Sequence, residues 1–392
     1  ATAPAAPPAA APPAGKPAPE TPSAGGGGGS PSSGWYEIVS GGGQDSIQEA
    51  VEASMDRLGA DVRPWDKGSM TFVTQLQEAL RNHGHVDLMK TDTKQRVAVK
   101  RMPTSWVRAG PKDFREQYPT ASEQPWFDMG VVSYLNDIGF PYVCKLGGVF
   151  RSSDETFVVS SFCTEGDLFS WCDRDSIPPT SINRERVMMP LVTQMIAAIR
   201  YLHDLGIAHR DLSLENIMVT KAPHTDTLIQ IIDFGMATLS RTVRREVRGK
   251  QSYQAPEMHT ESEYDTFLAD IFALGVVIFA MAAQDYPWTS TKRKGCQLFE
   301  YVAQHGLRRF LEKRRVRKGD GNEFLIHALS PQFTQTIEAM LQIKHMQRAC
   351  LGERCFTGDG RNRANVWTMP WLEGLEPPVT LGNASLNDDD TN

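Results

Sequence analysis

The sequence predicts an α+β fold in two lobes: a small lobe built on an antiparallel sheet with one key helix, then a larger helical lobe. Two observations predict it. Between residues 70 and 162, short runs rich in β-branched and aromatic residues alternate with turn residues, and one helix-like stretch interrupts them. From Asp167 onward the apolar period becomes helical. With 392 residues, 40% of them hydrophobic, the chain is long and apolar enough to bury cores of that size.

The elements follow in order. Residues 1–34, an Ala/Pro tract and then a glycine run, read as a disordered linker. Residues 35–69 read as an extension with one helix. Ser46 and Glu49 have the spacing of a capping box, Ile47, Val51, Met55 and Leu58 recur on one face, and Gly59 is expected to stop the run. Strands are expected at 70–76, 86–90, 95–101, 144–151 and 156–162, with the helix at 126–137. The small lobe then spans 70–162 and the helical lobe 167–375, with a hinge and cleft at 162–166. In the second lobe, helices are expected at 187–204, 269–283, 297–305 and 334–343, and short strands at 217–220 and 228–232. Residues 376–392 read as a disordered tail.

Bulk chemistry narrows the function classes. A net charge of −6 supplies no basic field for nucleic acid. Six cysteines without close pairing favour a reducing, cytoplasmic compartment. The apolar run 271–283 is too short to cross a bilayer and contains Gly275, so it reads as a core helix. The chain does not begin with Met, which leaves any targeting signal out of view and the compartment otherwise unassigned.

The chemistry concentrates in His209-Arg210-Asp211-Leu212-Ser213-Leu214-Glu215-Asn216 and Asp233-Phe234-Gly235. A carboxylate that can take a hydroxyl proton, an amide five residues on and a second carboxylate beyond suit phosphoryl transfer with metal ions on the phosphates. Upstream, Val97-Ala98-Val99-Lys100 reads as a strand with Ala98 and Lys100 on one face. A cation there needs an acidic partner on the following helix: Asp128, with Glu123 as the alternative.

These residues, followed by Tyr253-Gln254-Ala255-Pro256-Glu257, resemble a eukaryotic protein kinase over roughly residues 70–375. The resemblance implies transfer of the γ-phosphate of ATP, with Mg2+, to serine or threonine hydroxyls of protein substrates. It implies Asp211 as base, Lys100 on the inner phosphates, and Asn216 and Asp233 as metal ligands. It implies nucleotide contacts at Gly84, Val86, Ala98, Ser161, Cys163 and Asp167, with the Asp128 carboxylate holding Lys100. Ser160 falls at the gatekeeper position, where a small side chain opens a back pocket to bulky purine-like inhibitors. Glu257 is expected to pair with Arg361 or Arg363, and Asp270 to hold the backbone of the His-Arg-Asp loop. Arg210 is expected to meet a phosphate on Thr238, Ser240, Thr242 or Ser252.

Departures accompany the resemblance. Where a glycine-rich loop should cover the phosphates stand Ala79, Leu80, Arg81, Asn82, His83 and Gly84, with Arg81 offering charge in place of close backbone approach. Where a lysine is usual after the catalytic Asp stands Ser213, and Lys250 lies in the substrate loop, an apparent exchange of amine and hydroxyl that puts Lys250 among the catalytic candidates. The degraded loop supports an alternative reading, a pseudokinase scaffold without turnover. The chain is also similar in part to the FIKK kinases of apicomplexan parasites, through Ala98-Val99-Lys100-Arg101-Met102-Pro103, Trp106-Val107, Leu135-Asn136-Asp137 and Gly249-Lys250. Two basic runs remain: 241–248, a candidate for phosphates or acidic substrates, and 313–318, read as a solvated helix end.

Overall fold

The computed structural model describes residues 44–222, 225–318, 321–357 and 363–375; the expected linker and tail lie outside the described residues. Helix α1 (Gln44–Ala60) precedes the small lobe. It begins ahead of Ser46 and includes Gly59, so the capping box does not start it and the glycine does not end it. Ile47, Val51 and Met55 are buried, as their spacing requires.

The small lobe holds β1 (Arg63–Pro64), β2 (Met70–Ala79), β3 (Gly84–Thr91), β4 (Arg96–Pro103), α2 (Thr104–Val107), α3 (Pro111–Gln117), α4 (Pro125–Asp137), β5 (Leu146–Arg151) and β6 (Glu155–Ser161). Its six strands run in the order β1-β5-β6-β4-β3-β2. All pairings are antiparallel except the two-residue β1, which lies parallel to β5. One face of β4 buries Val97 and Val99 with Met89, Phe157 and Val159. Alternation turns Ala98 and Lys100 to the other face, toward the cleft. Helices α2 and α3 are each too short for apolar periodicity to register in the sequence.

The helical lobe holds α5 (Leu168–Cys172), α6 (Ile182–Asp204), the hairpin β7 (Ile217–Ala222) and β8 (Thr225–Ile231), β9 (Thr242–Arg244), α7 (Glu257–Thr260), β10 (Glu263–Asp265) and α8 (Thr266–Ala283). After it come α9 (Gln297–His305), α10 (Leu307–Lys313), the hairpin β11 (Arg315–Lys318) and β12 (Gly321–Phe324), α11 (Leu325–Ala328) and α12 (Pro331–Met340). The basic run expected to be a helix end is therefore largely a strand, paired with β12. Helix α8 is long and apolar enough to cross a membrane, yet every residue of it is buried inside the lobe. It is a core post against which α6 and α12 pack.

Glu257 shows where linear spacing fails. Its carboxylate meets Arg348, at 2.5 and 2.9 Å, and neither expected arginine. Arg348 is fully buried, donates also to the carbonyls of Leu268 and Gln342, and lies over the Phe272 ring. Arg363 instead donates to the carbonyls of His345 and Arg348, one step behind the pair, and Arg361 lies outside the described residues. Several arginines close the lobe, and only the path of the chain decides which one reaches Glu257.

Candidate active site

The cleft between the lobes gathers side chains from segments far apart in the chain. From β4, Lys100 Nζ lies 3.2 Å from Asp128 Oδ2 on α4 and 3.9 Å from Asp233 Oδ1. Burial works against the ammonium, but the surrounding carboxylates, Asp128 foremost, outweigh it and raise the Lys100 pKa. The other oxygen of Asp128 accepts the Phe234 N–H at 2.9 Å. One short carboxylate thus ties the lysine to the Asp-Phe-Gly turn. Asp233 itself is left-handed, with φ 66° and ψ 70°, and Phe234 is fully buried against the His209 ring.

Glu123, the alternative partner for Lys100, stands elsewhere. It is buried, accepts Asn82 Nδ2 at 3.2 Å, and burial together with the Asp233 charge pushes its pKa up to about 7. Burial would also raise Asp233, but Lys100 and His209 hold it below the ordinary carboxylate range.

From the loop after α6, Asp211 is almost completely buried. Its backbone position is set from below. Asp270 of α8 accepts the His209 N–H at 2.6 Å and the Arg210 N–H at 2.8 Å. Asn216 donates to Asp211 O at 2.8 Å and to Oδ2 at 3.2 Å. Oδ1 accepts the Lys250 backbone N–H at 3.2 Å. The Lys250 amine lies 2.7 Å from Ser213 Oγ and 3.0 Å from Glu215 Oε2, so the two departures from the usual pattern touch each other.

Arg210 is met by a carboxylate. Glu246 Oε2 lies 2.8 Å from its Nη2, and Tyr264 OH lies 3.4 Å away. Within the basic run 241–248, Arg241 pairs with Asp265, Arg244 with Glu263 and Arg248 with Glu246. Three of its charges are therefore already engaged inside the chain. Sequence reasoning missed Glu246 because a lone acid among four arginines reads as solvated surface.

Toward the hinge, Val86 pairs with Lys100, Leu88 with Ala98, and Ala98 with Ser160 across the sheet. Cys163 is buried with its sulfur 3.6 Å from that of Cys144. Asp167 caps α5, its Oδ1 accepting the Ser170 N–H at 2.7 Å, which engages one of its oxygens away from the cleft. Gly84 opens β3 where a Cβ would sit 1.8 Å from the Arg101 carbonyl, so close strand approach accounts for the one glycine retained there.

The lid between β2 and β3 is a short 3-10 turn, Leu80–Asn82, in which Arg81, Asn82 and the following His83 are anchored while Leu80 is exposed. Arg81 Nη1 reaches Asp211 Oδ2 at 2.6 Å. Asn82 is buried on Glu123, and the His83 ring stands edge-on to Trp106 at 4.9 Å. Backbone amides would have covered phosphates in a glycine-rich loop; here side chains hold the cover down.

Comparison with known proteins agrees with this arrangement. Residues 82–355 match the family described as Protein kinase domain. The serine/threonine-protein kinase PRR2 of Saccharomyces cerevisiae is 23% identical over 71% of this chain. Serine/threonine-protein kinases kin-29 of Caenorhabditis briggsae and DCLK2 of Rattus norvegicus are each 30% identical, over 41% and 44% of it. The matched stretches cover 40%, 19% and 22% of those three proteins.

Proposed function

The chain belongs to the protein kinase domain family, and on that premise we propose that it transfers the γ-phosphoryl group of ATP to serine or threonine hydroxyls of proteins, with magnesium as the metal. The observation that carries the reading is the single cleft in which Lys100, Asp128, Asp211, Asn216 and Asp233 converge from separate segments. The names of the relatives support the serine/threonine assignment.

Lys100 is the cation for the inner phosphates, held in place by Asp128. Val86, Ala98 and the backbone around Ser161 and Cys163 form the adenine side, and Gly84 the start of the lid. Asp167 stands at the ribose end with one oxygen free of its capping bond. Asp233 and Asn216 would hold the metal ions. Their fit has a structural sign: Asp233 Oδ1 is buried, 3.9 Å from Lys100 Nζ, and meets no hydrogen-bond donor among the described residues. A bound divalent cation would neutralise charge on the phosphates.

In the transfer, the acceptor oxygen bonds to the γ-phosphorus as the bond from that phosphorus to the β,γ-bridging oxygen breaks. The hydroxyl proton passes to the Asp211 carboxylate, and ADP leaves with the electron pair. Lys250, beside Ser213, supplies the amine that the loop itself lacks. Within the family, the partial similarity of 98–103, 106–107, 135–137 and 249–250 supports kinship with the FIKK kinases.

Purified protein with labelled ATP, magnesium and a generic acceptor should label the acceptor, and Asp211→Asn should lose that labelling by about 10²-fold or more. Equal labelling by both proteins would expose a contaminant, and none by the wild type would leave the scaffold reading.

A further inference from the structure

Arg81 is the one cation that the lid projects onto the catalytic carboxylate. Its Nη1 lies 2.6 Å from Asp211 Oδ2, which also receives Asn216 Nδ2 at 3.2 Å, while Oδ1 takes the Lys250 N–H. A substrate hydroxyl must reach an Asp211 oxygen, so the guanidinium has to yield that contact when an acceptor arrives. It need not leave the cleft to do so. Arg81 is carried by the lid turn itself, and the residues that follow it pin that turn, Asn82 on Glu123 and His83 on Trp106. Burial disfavours its charge, but the carboxylates of Asp211, Glu123 and Asp233 outweigh that and keep it cationic.

The lid has lost the means by which such loops usually meet phosphate. Ala79, Leu80 and Arg81 carry side chains where glycines would let amides approach. A guanidinium has five donors in a planar fork, so it can give up its contact with Asp211 and still turn N–H groups to phosphoryl oxygens. The space above Asp211 is where the transferring group must pass for in-line attack by a hydroxyl held on that carboxylate.

We propose that Arg81 is a further catalytic residue, which contacts the transferring phosphoryl group from the lid and stabilises the charge that spreads over its oxygens. The inference rests on the kinase reading above. It makes the glycine-poor lid a substitution of side-chain donors for backbone donors.

The test compares wild type, Arg81→Lys and Arg81→Ala in turnover, and in calorimetric binding of Mg–ADP with and without aluminium fluoride, a mimic of the phosphoryl group in transfer. Arg81→Ala should lower kcat by roughly 10²- to 10³-fold while binding Mg–ADP like the wild type, which also reports an intact fold. It should lose the tightening that aluminium fluoride gives the wild type. Added guanidinium should restore part of its turnover, and Arg81→Lys should fall between. Turnover in Arg81→Ala equal to or above wild type, or tightening by aluminium fluoride retained, would overturn the proposal; faster turnover would make Arg81 a latch on Asp211 instead. A wild type that transfers no phosphate overturns the kinase reading, and the binding measurement then still decides Arg81.

Discussion

Asp211 receives hydrogen bonds from three separate segments: Arg81 of the lid, Asn216 of its own loop and Lys250 of the segment leading to Glu257. Lys250 does two things there. Its backbone fixes Asp211 Oδ1, and its amine stands on Ser213 and Glu215. Both members of the Lys250–Glu215 pair are about one-third exposed, so the ion pair contributes at most about 1 kcal/mol to stability. If the amine instead serves the phosphates, Lys250→Ala should lower kcat by about 10- to 100-fold, with thermal stability and the KM for ATP little changed. Steady-state kinetics and a melting curve on the same preparation check this, and normal turnover would reduce the amine to a surface partner of Glu215. The gathering of Lys100, Asp211, Asn216 and Asp233 in one cleft was legible in the sequence, because they lie inside short motifs whose spacing is itself the signal. The contacts of Glu246 and Arg348 were not legible. Each joins residues far apart in sequence, Arg210 with Glu246 and Glu257 with Arg348, and nothing local marks the partner.

At the scale of elements, the Lys100–Asp128 contact depends on where α4 lies, and α1 braces α4 from behind. Arg57 of α1 pairs with Asp137 and donates to Ser133, and Val51 and Met55 are buried at the contact. Gly130 makes the close approach: a Cβ there would lie 2.3 Å from Met55 Cγ and 3.4 Å from the Val51 carbonyl. Gly130→Leu should force the two helices apart, destabilise the protein by about 1–3 kcal/mol and lower phosphate transfer by drawing Asp128 away from Lys100. Denaturation and kinase assays together check this, and unchanged activity at lowered stability would make α1 a structural brace alone. The helix was readable from its apolar spacing. Its docking surface was not, since a glycine in α4 reads as a weak helix position until a methionine is found resting on it.

Across the whole molecule, one buried network ties the catalytic loop to the far side of the helical lobe. His203 of α6 lies fully buried, with Nδ1 2.9 Å from Glu353 and Nε2 3.3 Å from Asp270, the residue that holds the backbone of His209 and Arg210. Burial opposes a charged imidazole, but the two carboxylates prevail and raise its pKa from 6.5 to about 9. A folded value above the unfolded one stabilises the protein fully below pH 6.5; the contribution shrinks as pH rises and is gone once pH passes about 9. Melting temperatures of wild type and His203→Gln, measured from pH 6 to pH 10, should therefore converge as pH rises over that window. Parallel curves would mean that the imidazole is neutral in the folded protein.

The sequence by itself determined the two-lobed class, most strands and long helices, and the order of the candidate site residues. Those features are local: side-chain period sets helix or strand, and a loop of fixed length carries its own base and amide. The tertiary structure alone decided which arginine faces Glu257, that a carboxylate meets Arg210, and that Arg81 reaches Asp211 across 130 residues. Long-range pairs follow from the packing of whole elements around buried surfaces, and one-dimensional spacing does not encode which exposed-looking charge that packing will bring into the cleft.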